Sequence, residues 1–112
     1  MTDLAAWASG FFDGEGNVYI RHRRRGACTD HVLYVQVTQK DKLPLQILKS
    51  HWGGSITEVK NPSGCWRWRV VTAMAERFLW DILPHSVVKR EQIEAALVIR
   101  SKVRKYKRRQ VV

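Results

Sequence analysis

The chain has 112 residues, a length that suits one domain spanning 1–112. Apolar residues make up 45 % and there are 5 Trp, which excludes a disordered chain, and no apolar run approaches the roughly 20 residues that cross a bilayer. Twenty Lys and Arg stand against ten Asp and Glu, and the net charge of +10 points to a polyanionic partner, nucleic acid first and an anionic membrane surface second, the bland reading being a ribosomal or merely soluble basic protein.

The elements follow in chain order. Met1-Thr2-Asp3-Leu4 lacks the basic start of a secretory signal, so a soluble, intracellular protein is expected. Thr2 or Asp3 caps a helix through Leu4, Trp7, Ala8, Phe11 and Phe12 that ends near Gly14 to Gly16. Asn17 to Arg25 reads as a strand, with Val18 and Ile20 on one face and Tyr19, Arg21, Arg23 and Arg25 on the other. After a turn at Gly26 to Asp30, His31 to Gln39 returns, with Leu33, Val35 and Val37 opposite Val32, Tyr34, Gln36 and Thr38. Asp41 caps a second helix, which tolerates Pro44 in its first turn and stops at Gly53-Gly54. Ser55 to Lys60 and Cys65 to Val71 form a second hairpin around Asn61-Pro62-Ser63-Gly64. Thr72 is expected to cap a third helix that ends before Pro84. A basic fourth helix or tail occupies about 87–112, where Lys102, Arg104, Lys105, Lys107, Arg108 and Arg109 suit phosphates.

This order implies an α+β fold of αββαββα type. Its two hairpins join in one four-stranded antiparallel sheet with helices on one face. The other face then carries Arg21, Arg23, Arg25, Tyr34, Gln36, Arg67 and Arg69. So basic a sheet suits double-stranded DNA, because a β-ribbon fits the major groove and Arg reads guanine at two points. Trp66 and Trp68 alternate with these arginines and are expected in the core. Cys28 and Cys65 form no CxxC pair and the four histidines are scattered, so neither a zinc site nor a disulfide is expected.

Residues 10–20, GFFDGEGNVYI, concentrate the functional signal. Ala6, Gly10 and Gly14 recur at i, i+4 and i+8 and make a smooth stripe along the first helix, which another helix can approach closely. Asp13 and Glu15 fall at the C-terminal end of that helix, where the macrodipole is already negative. Either they form only a cap and turn, or a positive partner compensates them, and a divalent cation beside a DNA-binding face is what phosphodiester cleavage needs. Oxygen ligands select Mg²⁺ over zinc.

Ala8-Ser9-Gly10-Phe11-Phe12-Asp13-Gly14-Glu15-Gly16 resembles the signature of the LAGLIDADG homing endonucleases, with Glu15 in place of the final aspartate. Gln36-Val37-Thr38-Gln39-Lys40, and Lys89 with Gln92, resemble blocks of the single-motif homodimeric branch typified by I-CreI. The resemblance covers about residues 3–100. It implies a site-specific double-strand DNA endonuclease acting on a long, roughly palindromic site. It implies a homodimer seam at Ala6, Gly10, Asp13 and Gly14, with Asp13 a cap across the paired helices. Glu15 and the Gly14 carbonyl would hold Mg²⁺ (or Mn²⁺ or Ca²⁺ in its place), Gln39 would position water, and Lys89 would offset transition-state charge. Arg21, Arg23, Arg25, Tyr34, Gln36, Arg67, Arg69, Lys102 and Arg104 would contact DNA. No small-molecule cofactor and no membrane partner are implied. The alternative is a cleavage-inactive DNA- or RNA-binding relative, a maturase or regulator.

Overall fold

The computed structural model describes residues 2–26, 28–60 and 64–110, and of Thr2, Arg23, Arg25, 28–30 and 103–110 the backbone alone. The expected loops at 26–30 and 61–64, and the side-chain assignments to Arg23, Arg25, Arg104 and the tail beyond it, therefore lie partly or wholly outside the described residues. The elements are α1 (Thr2–Glu15), β1 (Gly16–Arg25), β2 (Cys28–Gln39), α2 (Lys42–Trp52), β3 (Ser55–Val59), β4 (Cys65–Val71), α3 (Thr72–Ile82), a 3₁₀ turn (Leu83–His85) and α4 (Arg90–Gln110). The four strands form one antiparallel sheet in the order β1-β2-β4-β3, which is the α+β arrangement expected. None of the described helices is long and apolar enough to cross a membrane.

Alternation along the strands sorts the sheet into two faces. Val18, Leu33, Val35, Val37, Trp68 and Val70 are buried against the helices. Phe78 of α3 sits at the centre of this core, edge-on to Phe12, Trp52 and Trp68 at centroid distances of 5.5, 5.0 and 5.1 Å. The indoles find polar partners where their N–H groups reach the edge of the core, as buried Trp requires. Trp68 Nε1 donates to Gly53 O and Trp52 Nε1 to Asp81 Oδ2, both at 2.8 Å. Trp66 is only half-buried, and the Lys42 ammonium lies 4.3 Å from its ring centre.

Local chemistry sets the boundaries. Asp41 caps α2 by accepting from Leu43 N at 3.0 Å. Gly54 takes φ +93° and passes so close to Arg69 O and Val70 that no side chain fits there. Two boundaries differ from expectation. Thr72 caps nothing: Val71 is the extended N-cap of α3 and makes no side-chain cap bond. The chain passes from β4 into α3 with no connecting residue, and Thr72 takes φ +53°, a conformation costly for a β-branched side chain, to make that reversal. The last helix begins at Arg90 rather than near Val87, because residues 86–89 are held as a turn by Asp13.

On α1, Ala8 and Phe12 face the core, with Leu4 and Phe11 partly buried beside them. Trp7 is 38 % exposed, stacked on Phe11 at 5.5 Å. Gly16 follows the helix directly, and a Cβ there would overlap the buried Phe12 ring. The ring is locked in the core and cannot yield, so Gly16→Ala is expected to cost about 1–3 kcal/mol in chemical denaturation. Unchanged stability would show that Phe12 repacks freely.

Candidate active site and nucleic-acid interface

The end of α1 is the centre of the candidate site. Asp13, in its last turn, accepts from Ser86 Oγ at 2.9 Å, Val87 N at 2.9 Å and Lys89 N at 3.2 Å. Lys89 Nζ donates to the Asp13 carbonyl at 2.7 Å. The acid thus joins the electronegative end of α1 to the electropositive approach of α4. Burial alone would raise the Asp13 pKa. The amides of Val87, Lys89 and Val88 and the Ser86 hydroxyl outweigh it and hold the carboxyl below its ordinary 3.8. The cap expected across a pair of helices is made here within one chain. The compensating positive partner of this acid is a turn of backbone N–H groups with a lysine. The sequence reading missed Ser86 and Val87 as its partners, since nothing local marks a hydrogen bond across 73 residues.

Glu15, the last residue of α1, is exposed, and no hydrogen bond or ion pair to its carboxylate occurs among the described residues. Gly14 and Gly10 are exposed, and a Cβ at either would meet nothing within 4 Å. With exposed Ala6 they form a bare stripe that no described residue of this chain covers. Two exposed valines, Val87 and Val88, adjoin the end of the stripe through the Asp13 contacts. Gln39 closes β2 two residues beyond Val37, the strand partner of Gly16. Its Oε1 accepts from Lys40 N at 3.0 Å, which leaves the amide N–H₂ as a donor. Lys89 and Gln39 therefore both belong to the neighbourhood of the α1–β1 junction.

The sheet face away from the helices carries Arg21, Arg67 and Arg69 of the predicted basic residues. The register aligns Asn17, Gln36, Arg69 and Ser55 in one row, and Thr38, Arg67 and Thr57 in the next. Arg69 Nη2 donates to Gln36 Oε1 at 3.0 Å, and its guanidinium lies 5.2 Å from the centre of the Tyr34 ring. Tyr34 is in turn stacked on Tyr19 at 5.1 Å with the planes 8° apart. Tyr34, expected as a DNA contact, is only 7 % exposed and serves as a platform for Arg69. Arg67 Nε donates to Thr38 Oγ1 at 3.4 Å. Arg21 and Lys102 are exposed. Tyr19 and Thr38 were not among the expected contacts; their place beneath the arginines shows only once the strand register is fixed.

No family model matches the sequence, and no curated protein sequence matches it. Solved structures do match the fold. The homing endonuclease I-CvuI, in complex with its target in 2 mM Ca, superposes with a TM-score of 0.83 at 22 % identity, over 95 % of this chain and 71 % of that one. The archaeal intron-encoded homing endonuclease I-Vdi141I, complexed with DNA, gives 0.75 at 20 % identity, over 87 % and 66 %. The I-SmaMI LAGLIDADG homing endonuclease bound to cleaved DNA gives 0.79 at 15 % identity, over 92 % and 37 %. This chain has the LAGLIDADG homing endonuclease fold.

Within that fold the end of α1 suits a hard divalent cation. Glu15 is a carboxylate with no partner among the described residues, at a negative helix end, and the last-turn carbonyls of α1, Gly14 among them, are further oxygen donors. No group of three or more His, Cys, Asp or Glu that could hold a metal ion occurs among the described residues.

The Asp13 tie has a pH signature. Its carboxyl is lowered in the folded chain, so the unfolded chain takes up the proton first. The stabilisation is complete above the ordinary value of 3.8 and is lost as pH falls through the folded pKa. Asp13→Asn is expected to lose about 1–3 kcal/mol at neutral pH. The gap to wild type should shrink in denaturation curves taken below about pH 4. A gap independent of pH would mean that the charge of Asp13 contributes nothing.

Proposed function

We propose that the protein is a site-specific double-strand DNA endonuclease of the LAGLIDADG type. It hydrolyses phosphodiester bonds with Mg²⁺ or a similar divalent cation, and works as a homodimer on a long, roughly palindromic site. One observation carries this reading: Glu15, a carboxylate without a hydrogen-bond or ion-pair partner among the described residues, stands where the bare stripe of α1 runs into the arginine-bearing sheet. The charge of +10 supports a polyanionic substrate. The I-CvuI and I-Vdi141I structures are complexes with DNA, and those of I-CvuI were obtained with Ca or Mg.

The stripe explains why one carboxylate suffices. A second copy of α1 packed on Ala6, Gly10 and Gly14 brings a second Glu15 to the same axis, and a two-fold protein matches a two-fold site. I-SmaMI fits this picture, because this fold accounts for only 37 % of its chain and leaves room in it for a second such unit.

Each residue then has a task. Glu15 and the Gly14 carbonyl hold the cation, whose chemistry is to polarise a phosphate oxygen and lower the pKa of water. Gln39 offers its amide donor to that water. Lys89 places a positive charge beside the scissile phosphate, where negative charge grows in the transition state. Arg67 spends Nε on Thr38 and keeps its terminal nitrogens for base or phosphate oxygens. Gln36 gives one lone pair of Oε1 to Arg69 and keeps its amide N–H₂ as a donor, so the pair presents mainly donors and suits an acceptor-rich edge such as that of guanine. Arg21, Arg23, Arg25, Lys102 and Arg104 extend the grip along the duplex.

Cleavage of a randomised duplex library with Mg²⁺ tests the proposal. Glu15→Gln should lower cutting at least ~100-fold while leaving affinity for the selected site unchanged. Tight binding with no cutting of any selected site would replace the nuclease by a cleavage-inactive binding protein. A second measurement addresses assembly. Gly10→Leu should leave the chain folded yet monomeric in sedimentation. A Gly10→Leu protein that still sediments as a dimer would place the seam elsewhere.

A further inference from the structure

The four histidines are dispersed in the sequence, but the β1–β2 register brings two of them together. His22 and His31 are direct cross-strand partners. Their rings meet edge to face, with centroids 4.5 Å apart and planes at 88°, and their Nδ1 atoms face each other at 2.5 Å. His22 shares the parity of Val18 and Ile20, so the pair lies on the sheet face opposite Arg21, Arg67 and Arg69.

Two Nδ1 atoms in contact need one proton between them, since a neutral imidazole has one donor nitrogen and one acceptor. If both rings instead carry their proton on Nε2, two lone pairs converge on one point. A metal ion satisfies that arrangement. At about 2.0–2.1 Å from each nitrogen with a tetrahedral angle, it needs the nitrogens about 3.3 Å apart. The rings reach that spacing by parting less than about 1 Å and turning their lone pairs toward a shared ion, and His22 is exposed. Imidazole selects Zn²⁺, Ni²⁺ and Cu²⁺ over Mg²⁺. The neighbouring Arg21 and Arg24, both exposed, disfavour weakly held cations and sharpen that selection.

We infer that His22 and His31 form a two-imidazole site for a transition-metal dication, with water completing the shell. It is separate from the oxygen donors of Glu15 and independent of the nuclease reading. The ion joins β1 to β2 in the arm that carries Arg21, Arg23 and Arg25, and so stiffens that arm.

Calorimetric titration of the whole chain with ZnCl₂, NiCl₂ or CuCl₂ in a non-chelating buffer tests it. One ion per chain is expected. His22→Gln and His31→Gln should each weaken binding by at least the roughly 10–100-fold seen when a metal site loses a supporting group. In the wild-type protein, nitrogen NMR of the imidazoles should show both Nδ1 resonances, and neither Nε2, shifted by Zn²⁺. This readout needs no variant to fold. Absence of binding, or binding that survives both substitutions and so belongs to His51, His85 or Cys65, would overturn the assignment. MgCl₂ in place of the transition metals should leave both imidazoles unmoved; an equal shift with Mg²⁺ would also overturn it.

Discussion

The tie between Asp13 and the turn at 86–89 is the constraint on which the rest of the molecule depends. It fixes the end of the first helix to the start of the last, across almost the whole chain. Carbonyls exposed at a helix C-terminus and amides exposed ahead of a helix N-terminus are both costly when left alone. Here one carboxylate and one ammonium satisfy groups of both kinds. The geometry also separates two acids that stand two residues apart. Asp13 is consumed by structure, and Glu15, just past it, has no partner among the described residues. A cation-binding carboxylate needs such a neighbour, because the turn that orients it must not compete for it.

The sheet divides labour in a similar way. One face is filled with Val, Leu and Trp around Phe78, and the other presents cations braced from below. Arg69 rests on the Tyr34–Tyr19 stack and is tied to Gln36; Arg67 is tied to Thr38. A long side chain loses rotamer entropy when it binds, and bracing removes part of that loss in advance. The aromatic residues of this face therefore act by holding the arginines in position.

Much of this was legible in the sequence because it obeys short-range rules. The period-2 alternation of Leu33, Val35 and Val37 named the buried face, and Asp41 marked the start of α2 through a contact two residues away. The smooth stripe was readable from spacing alone, and its emptiness in the folded chain agrees with that spacing. What could not be read depends on distant partners. Thr72 has the chemistry of a cap, but the tight passage from β4 to α3 places it in a left-handed conformation where it caps nothing. Asp13 has the sequence context of an inter-helix cap, but its partners lie 73 to 76 residues on. His22 and His31 look unrelated until the strands are paired in register.

The strand order has one more result. β1 lies at the rim of the sheet, so one side of its backbone has no neighbouring strand over ten residues. A rim of that length is a template for pairing with the same strand of another copy, the first step toward fibrous aggregates. The sequence of β1 places four arginines and a histidine there. Two such rims laid side by side would oppose like charges at short range, so the cationic run also discourages unwanted self-assembly. That protection is electrostatic and weakens as salt screens it. A polyanion lying across the arm would neutralise the same charges, so colloidal behaviour and ligand occupancy are coupled through a single strand.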